Sequence, residues 1–243
     1  MSIADNIQHV HEQIAAAAQR AGRPADSITL MAVSKTFPAD AIREAYAAGL
    51  RVFGENRVQE FAEKAGSVRD LADARFHLIG HLQSNKANKA AELFDAVDSI
   101  DSLKLAEKLN AAAAAQGKRL AVLLEVNVGG ESAKSGLAAG SQEIEVMLQA
   151  AQHLASLELR GLMTVPPFTD DPEGARPYFR QLRELRDRLT ARNFPSVQLD
   201  ELSMGMSHDF AVAIEEGSTC VRVGTAIFGA RAKPAPESGN PAA

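Results

Sequence analysis

The chain has 243 residues, 46% apolar and 23% charged, which suits an α/β domain with ample core. Its formal charge of −5 and its scattered basic residues, with no basic stripe among aromatics, exclude a nucleic-acid surface. A single cysteine, Cys220, excludes an intramolecular disulfide, the six histidines show no metal-ligand spacing, and no apolar run reaches membrane-spanning length. A cytoplasmic protein using neither metal nor membrane is expected.

Ile7, Val10, Ile14 and Ala17 recur at helical spacing and predict an amphipathic helix over 4–21, closed by Gly22 and Pro24. A strand at 28–34 follows and ends in Val33-Ser34-Lys35. Pro38 starts a helix over 38–48, which Gly49 ends. A short strand at 51–54 leads to Glu55-Asn56-Arg57, read as the opening of a helix through 65. Strands at 76–80 and 94–100 precede helices at 84–93 and 102–117, the second N-capped by Ser102. The strand at 120–126 is continuously apolar until Glu125, as a strand covered on both faces should be. A Gly-rich loop at 129–136, carrying Lys134, leads to a helix at 141–155. Strands at 159–164, 198–202 and 219–223 alternate with helices at 174–191 and 208–216, and a turn or short helix starts at Gly224. The Arg- and Glu-rich face around Arg180 to Arg192 reads as solvated, with i,i+4 pairs. Residues 233–243, rich in Pro, Ala, Gly and Ser, read as a disordered tail.

Eight strands alternating with helices predict one α/β domain over 1–232, a single (β/α)8 TIM barrel with an extra N-terminal helix. A doubly wound sheet is the alternative, but it would usually carry a glycine fingerprint where Ser34-Lys35 stands. In this barrel the active site lies at the C-terminal ends of the strands. Strand order brings Lys35, Asn56, His81, Asn127, Met163 with Thr164, Ser203 and Arg222 to that rim.

A desolvated lysine has a lowered pKa, and its neutral amine attacks carbonyls to form Schiff bases. Arg222 points into the barrel if Val221 and Val223 face the helices, and an arginine there needs an anion or an equivalent acceptor. Gly224 and Thr225 follow the last strand, where this fold usually binds phosphate, and Ser203 and Ser207 are on the neighbouring loop. A Schiff-base lysine opposite a phosphate cradle points to pyridoxal 5′-phosphate, bonded to Lys35, with its phosphate at Ser203, Gly224 and Thr225. Arg222 serves either the phosphate or the ring nitrogen. His81 flanks the ring or is a plain loop histidine, and Lys134 either reaches ligand anions or is solvated. Met204 and Met206 read as packing residues.

Five stretches in order carry a resemblance: Ala32-Val33-Ser34-Lys35-Thr36, the run from Phe53 to Glu60, the run from His77 to Lys86, Leu202 to Ser207, and Val221 to Gly229. Together they resemble the pyridoxal phosphate homeostasis protein family, also described as alanine-racemase-like, from about residue 5 to Arg231. The resemblance implies a barrel like the N-terminal domain of alanine racemase, with pyridoxal phosphate held as a Schiff base on Lys35. It implies a role in vitamin B6 homeostasis, with hand-over to apo-enzymes and no established turnover. Phe37 departs from the family, where a second lysine often stands.

A racemase on this fold is the alternative. Racemisation needs two bases on opposite faces of the cofactor. Alanine racemase takes its second from a tyrosine of a partner's β-rich domain, which is expected to be absent here. Tyr46 and Tyr178, the only tyrosines, fall on helices outside the barrel, which leaves His81 as an improvised base. A monomer is expected, since the domain that dimerises alanine racemase is the missing one.

Overall fold

Alternation along the strands decides what each side of the sheet touches. In β5 (Leu120–Asn127), Val122, Leu124 and Val126 join the apolar core beneath the helices, while Leu123 and Glu125 point the other way. The same parity holds in β9 (Cys220–Val223), where Val221 and Val223 pack outward and Arg222 turns inward. The computed structural model describes residues 2–131 and 135–230, so Lys134 and the tail from residue 231 lie outside the described residues.

The other strands are β1 (Thr29–Val33), β2 (Val52–Glu55), β3 (Arg75–Leu78), β4 (Ala96–Ile100), β6 (Leu137–Ala138), β7 (Leu157–Met163) and β8 (Val197–Met206). They run parallel in the order β4-β3-β2-β1-β9-β8-β7-β5, and a β4–β5 pairing closes the ring. Eight strands thus form the expected (β/α)8 barrel, with β6 a two-residue addition beside β5.

Helices α2 (Ala39–Ala47), α3 (Val58–Ala65), α4 (Ala87–Leu93), α5 (Leu103–Ala115), α6 (Gln142–Ala150), α7 (Arg176–Thr190) and α8 (Phe210–Glu215) surround it, followed by the short α9 (Thr225–Phe228). Helix α1 (Ile3–Arg20) precedes the first strand, and a Ser2–Asp5 capping box sets its start. It buries Ile7, Val10 and Ile14 against α2, α8 and α9. Asn6 donates to the Ile227 carbonyl at 2.8 Å, and Arg23, just past the helix, donates to the Ile214 and Ser218 carbonyls.

Several expectations change. Glu55 ends β2, and Asn56-Arg57 form a turn before α3 instead of opening it. Ser84 begins a 3₁₀ turn before α4, and Ser102 makes no side-chain cap bond to α5. Strand β8 continues to Met206 instead of ending at 202. The run Ser203-Met204-Gly205-Met206 reads as a loop because a serine and a glycine interrupt its apolar residues. It is a strand with an irregular register to β9, with Gly205 at φ 94°. A methyl group on Gly205 would lie 2.5 Å from the Ala213 Cβ, so α8 lies close over the strand only because the side chain is absent.

A further change concerns α7. Arg176, Arg180 and Arg183 all donate to the carboxylate of Glu216, whose side chain is 5% exposed. Arg176 thus joins Arg180 and Arg183 of that face in a clamp fastening α7 to the end of α8, while Glu184, Asp187, Arg188 and Arg192 are exposed as expected. Burial raises the Glu216 carboxyl, but the arginines outweigh it and hold the pKa below the ordinary value.

The N-terminal mouth of the barrel is charged. A cleft of roughly 370 Å³ there is lined in part by Arg75, His77, Asp98, Arg119, Arg160 and Glu201. His77 Nδ1 lies 3.1 Å from buried Asp98. Burial lowers the His77 pKa, yet the fields of Asp98, Glu201 and Asp95 outweigh it and raise it.

Two outcomes follow from these charges. Glu216→Gln removes the centre of a cluster whose arginines stay 24–52% exposed, so urea denaturation should register a loss of about 1–2 kcal/mol. A raised His77 pKa adds stability at pH values below the unfolded midpoint, which is lost as pH rises through the folded one. The stability gap between wild type and His77→Gln should therefore narrow as pH rises above 6.5, and the imidazole should titrate by NMR above that value.

Candidate functional site

The site is assembled where β1, β9 and β8 end side by side. After Val33 the chain turns through Ser34-Lys35-Thr36-Phe37, and the Phe37 N–H donates to the Ser34 carbonyl at 3.1 Å. Thr36 has φ 69°, in the left-handed region that costs a β-branched residue energy. Lys35 is half-buried in this turn. The Phe37 ring packs on Phe228 of α9 at 4.9 Å between centroids.

Strand β9 pairs Val223 with Ala32, so Gly224 lies beside Val33. A methyl group on Gly224 would stand 3.4 Å from the Val33 carbonyl oxygen. Gly224 N–H donates to Ser207 Oγ at 3.2 Å, and Thr225 opens α9. The amides that open a helix have no partner within it and favour an anion. Ser207, Gly224 and Thr225 thus meet at the rim next to the Lys35 turn.

Arg222 is 3% exposed, in the lumen below. Its guanidinium donates at 2.7 Å to Ser203 Oγ and at 2.7 Å to the Thr164 carbonyl. Among the described residues no carboxylate forms a salt bridge with it. Burial draws its pKa down against the more distant fields of Asp98, Asp209 and Glu125. Ser203 is fully buried within β8, where its hydroxyl holds Arg222. Ser207 takes the place beside Gly224 that the sequence assigned to both serines.

The remaining candidates lie across the mouth. A cleft of roughly 340 Å³ is lined by Gly80, His81, Glu125, Asn127, Ser135 and Val165, with two further residues. His81 Nδ1 is 3.1 Å from Asp101 Oδ2. Asn56 follows β2, half-buried, and its carbonyl oxygen would lie 2.2 Å from a methyl group on Gly80, so these two loops abut. Thr164 Oγ1 donates to the Val126 carbonyl, and Met163 is buried at the end of β7. Asn127 donates to the Glu131 carbonyl.

Two groups escaped the reading of the sequence. Glu125 is half-buried in the lumen. Burial raises its carboxyl pKa, and a Ser135 hydroxyl 3.2 Å from both oxygens partly opposes that shift. Its one signal was the acidic break in an apolar strand. The other is the buried Glu55–Lys64 pair beneath the Lys35 turn, whose ions are 2.8 Å apart. Glu55 looked like a helix-opening acid, and nothing local announces its partner nine residues on.

The geometry brings together an amine at the rim, an amide-rich anion cradle beside it and a buried guanidinium beneath. The family model described as "Alanine racemase, N-terminal domain" matches residues 6–232. The pyridoxal phosphate homeostasis protein of Aquifex aeolicus is 45% identical over 231 residues, covering 95% of this chain and 99% of that one. That of Pseudomonas aeruginosa is 46% identical over 237 residues, covering 98% and 99%. The solved structure of PipY from Synechococcus elongatus with PLP bound is 41% identical at a TM-score of 0.82, covering 94% of this chain and all of the other. Alanine racemase of Clostridium difficile shares the fold at 15% identity and a TM-score of 0.69, and this chain spans 57% of its length.

Proposed function

This chain belongs to the pyridoxal phosphate homeostasis protein family, and from that premise we propose that it binds pyridoxal 5′-phosphate at Lys35 and acts as a carrier of the cofactor. One observation carries the reading: Gly224 lies against Val33, so the Lys35 turn and the Ser207–Gly224–Thr225 cradle are immediate neighbours. The residues suit the group. Ser207, Gly224 and Thr225 offer hydroxyls and amides to a phosphate. Arg222, fixed by Ser203 and Thr164, offers a permanent charge from inside the lumen to the ring. When bound, the cofactor supplies an aldehyde for a Schiff base with the Lys35 amine.

A guanidinium facing the ring nitrogen discourages its protonation, which weakens the electron-sink chemistry of many enzymes that use this cofactor. Asn56 and His81 close the far side of the mouth in this reading. The Tyr46 hydroxyl donates to Asp73, and Tyr178 lies on α7, so both belong to the outer helices. The described residues that line the mouth cleft include two titratable groups, His81 and Glu125. The second reading, a weak racemase, rests on His81 and its Asp101 partner. The carrier reading includes a cytoplasmic monomer that passes its cofactor to apo-enzymes; no described helix is long and apolar enough to cross a membrane.

Borohydride reduction of the cofactor-loaded protein, followed by peptide mapping, should place a stable adduct on Lys35. An unmodified Lys35 overturns the covalent reading. Incubation with L-alanine in deuterated water should give no rapid Cα exchange. Fast exchange that Lys35→Ala abolishes would replace the carrier with an enzyme.

A further inference from the structure

Lys64 lies on α3, outside the β1–β9 rim, yet its ammonium reaches under the Lys35 turn. Nζ donates to the Ser34 carbonyl at 3.0 Å and to the Phe37 carbonyl at 3.1 Å, the two ends of that four-residue turn. Its third close partner is Glu55 Oε1 at 2.8 Å. An ammonium has three donors, and these three acceptors take them, with Glu60 Oε1 a more distant fourth partner at 3.5 Å. The Glu55 side chain is fully buried, and the same oxygen accepts from Ser34 Oγ at 2.6 Å. Glu60, one helical turn before Lys64, accepts from the Thr36 amide. Of the residues flanking Lys35, Ser34 is held through its hydroxyl and carbonyl, Thr36 through its amide and Phe37 through its carbonyl.

This arrangement exceeds what holding a loop requires. An ordinary four-residue turn needs its one internal bond, and many such turns lack even that. Here a buried ion pair is spent on a turn whose third residue sits at φ 69°. Such a conformation persists only where the surroundings over-determine it. Arginine would suit a plain buried ion pair better, whereas a compact ammonium meets two carbonyls and a carboxylate that converge on one point.

We propose that Lys64, anchored by Glu55, is a positioning residue that holds the Ser34–Phe37 turn so that the Lys35 amine meets the aldehyde of the bound cofactor. The proposal rests on the Lys35 reading above. In the step served, the neutral Lys35 nitrogen adds to the aldehyde carbon. The carbonyl oxygen leaves as water and a C=N bond forms, with no change of oxidation state. Lys64 takes no part in the bond changes. Its effect is geometric, and a displacement near 1 Å can cost about a hundredfold.

The test compares two probes on the full chain. Pyridoxal phosphate forms the Schiff base, whereas pyridoxamine phosphate fills the same pocket and cannot. Lys64→Met should weaken pyridoxal phosphate by roughly tenfold or more and slow the rise of the Schiff-base absorbance, while pyridoxamine phosphate changes by less than about twofold. Lys64→Arg should restore part of the loss. Where Lys64→Met leaves Glu55 uncompensated and the chain fails to fold, Lys64→Met combined with Glu55→Gln removes both charges and should show the same selective loss. An equal loss of both probes, or no loss of either, overturns the proposal. Failure of the Lys35 reading looks different: the wild type itself then yields no reduced adduct at Lys35, and Lys35→Ala binds both probes like wild type.

Discussion

Closing a parallel sheet on itself leaves every strand one face for the helices and one for a narrow lumen, and whatever points inward must be satisfied there. In this protein the lumen holds charge. Arg222 is buried at its centre, and an unpaired guanidinium in such a place would be prohibitive. Ser203 and the Thr164 carbonyl accept from it, from the two strands next around the ring. That pairing locks β7, β8 and β9 in mutual register and aims a fixed positive charge toward the C-terminal rim. The irregular pairing of β8 with β9 and the glycine at position 205 bring Ser203 and Ser207 to different levels of the same strand end. One serine holds the arginine and the other meets Gly224.

The polar groups separate into two ends. At the N-terminal mouth His77, Asp98, Glu201 and Arg160 balance one another, and the titration of His77 bears on stability. At the C-terminal rim the groups either lie in a cleft open to ligand or support the loops that carry them. Such a division suits a fold whose rim performs binding and whose opposite end closes the structure. The helical shell follows the same economy of charge. Glu216 collects three arginines of α7, and Arg23 caps the carbonyls behind α8, so the last βα unit is bound to the first helix and to its predecessor.

The turn after β1 is held by side chains of β2 and α3 that lie beneath Lys35. Ser34, Glu55, Glu60 and Lys64 form a layer between the barrel and α3, and through them β2 and α3 define the shape of the chain around Lys35. The left-handed Thr36 is tolerated because its amide, and the Ser34 and Phe37 carbonyls at the ends of the turn, all have partners. On the proposed reading, a backbone already held around Lys35 leaves less ordering cost for a ligand at the rim.

Much was legible in the order of residues. Short apolar runs separated by helical repeats are local signals, and they specified eight barrel strands and a leading helix with ends displaced by a few residues. The Val221-Arg222-Val223 alternation was enough to send Arg222 inward, because parity is a property of consecutive residues. Lys35 and the Gly224-Thr225 pair were legible for a similar reason: each directly follows a strand. What the sequence left open depends on partners distant along the chain. Whether Ser203 is loop or lumen was decided by a bulge that exists only when β8 meets β9. The arginines of α7 looked solvated because Glu216 lies beyond the next strand. Glu55 reads as a helix-opening acid and Lys64 carries no local signal, since burial is not a local quantity and their pairing appears only when α3 folds back over β2. The sequence by itself determined the elements, the inward direction of Arg222 and the place of Lys35 at a strand end. Only the closed barrel decided which acceptors quench the buried charges and which ammonium holds the turn, because those choices are made by distance in space.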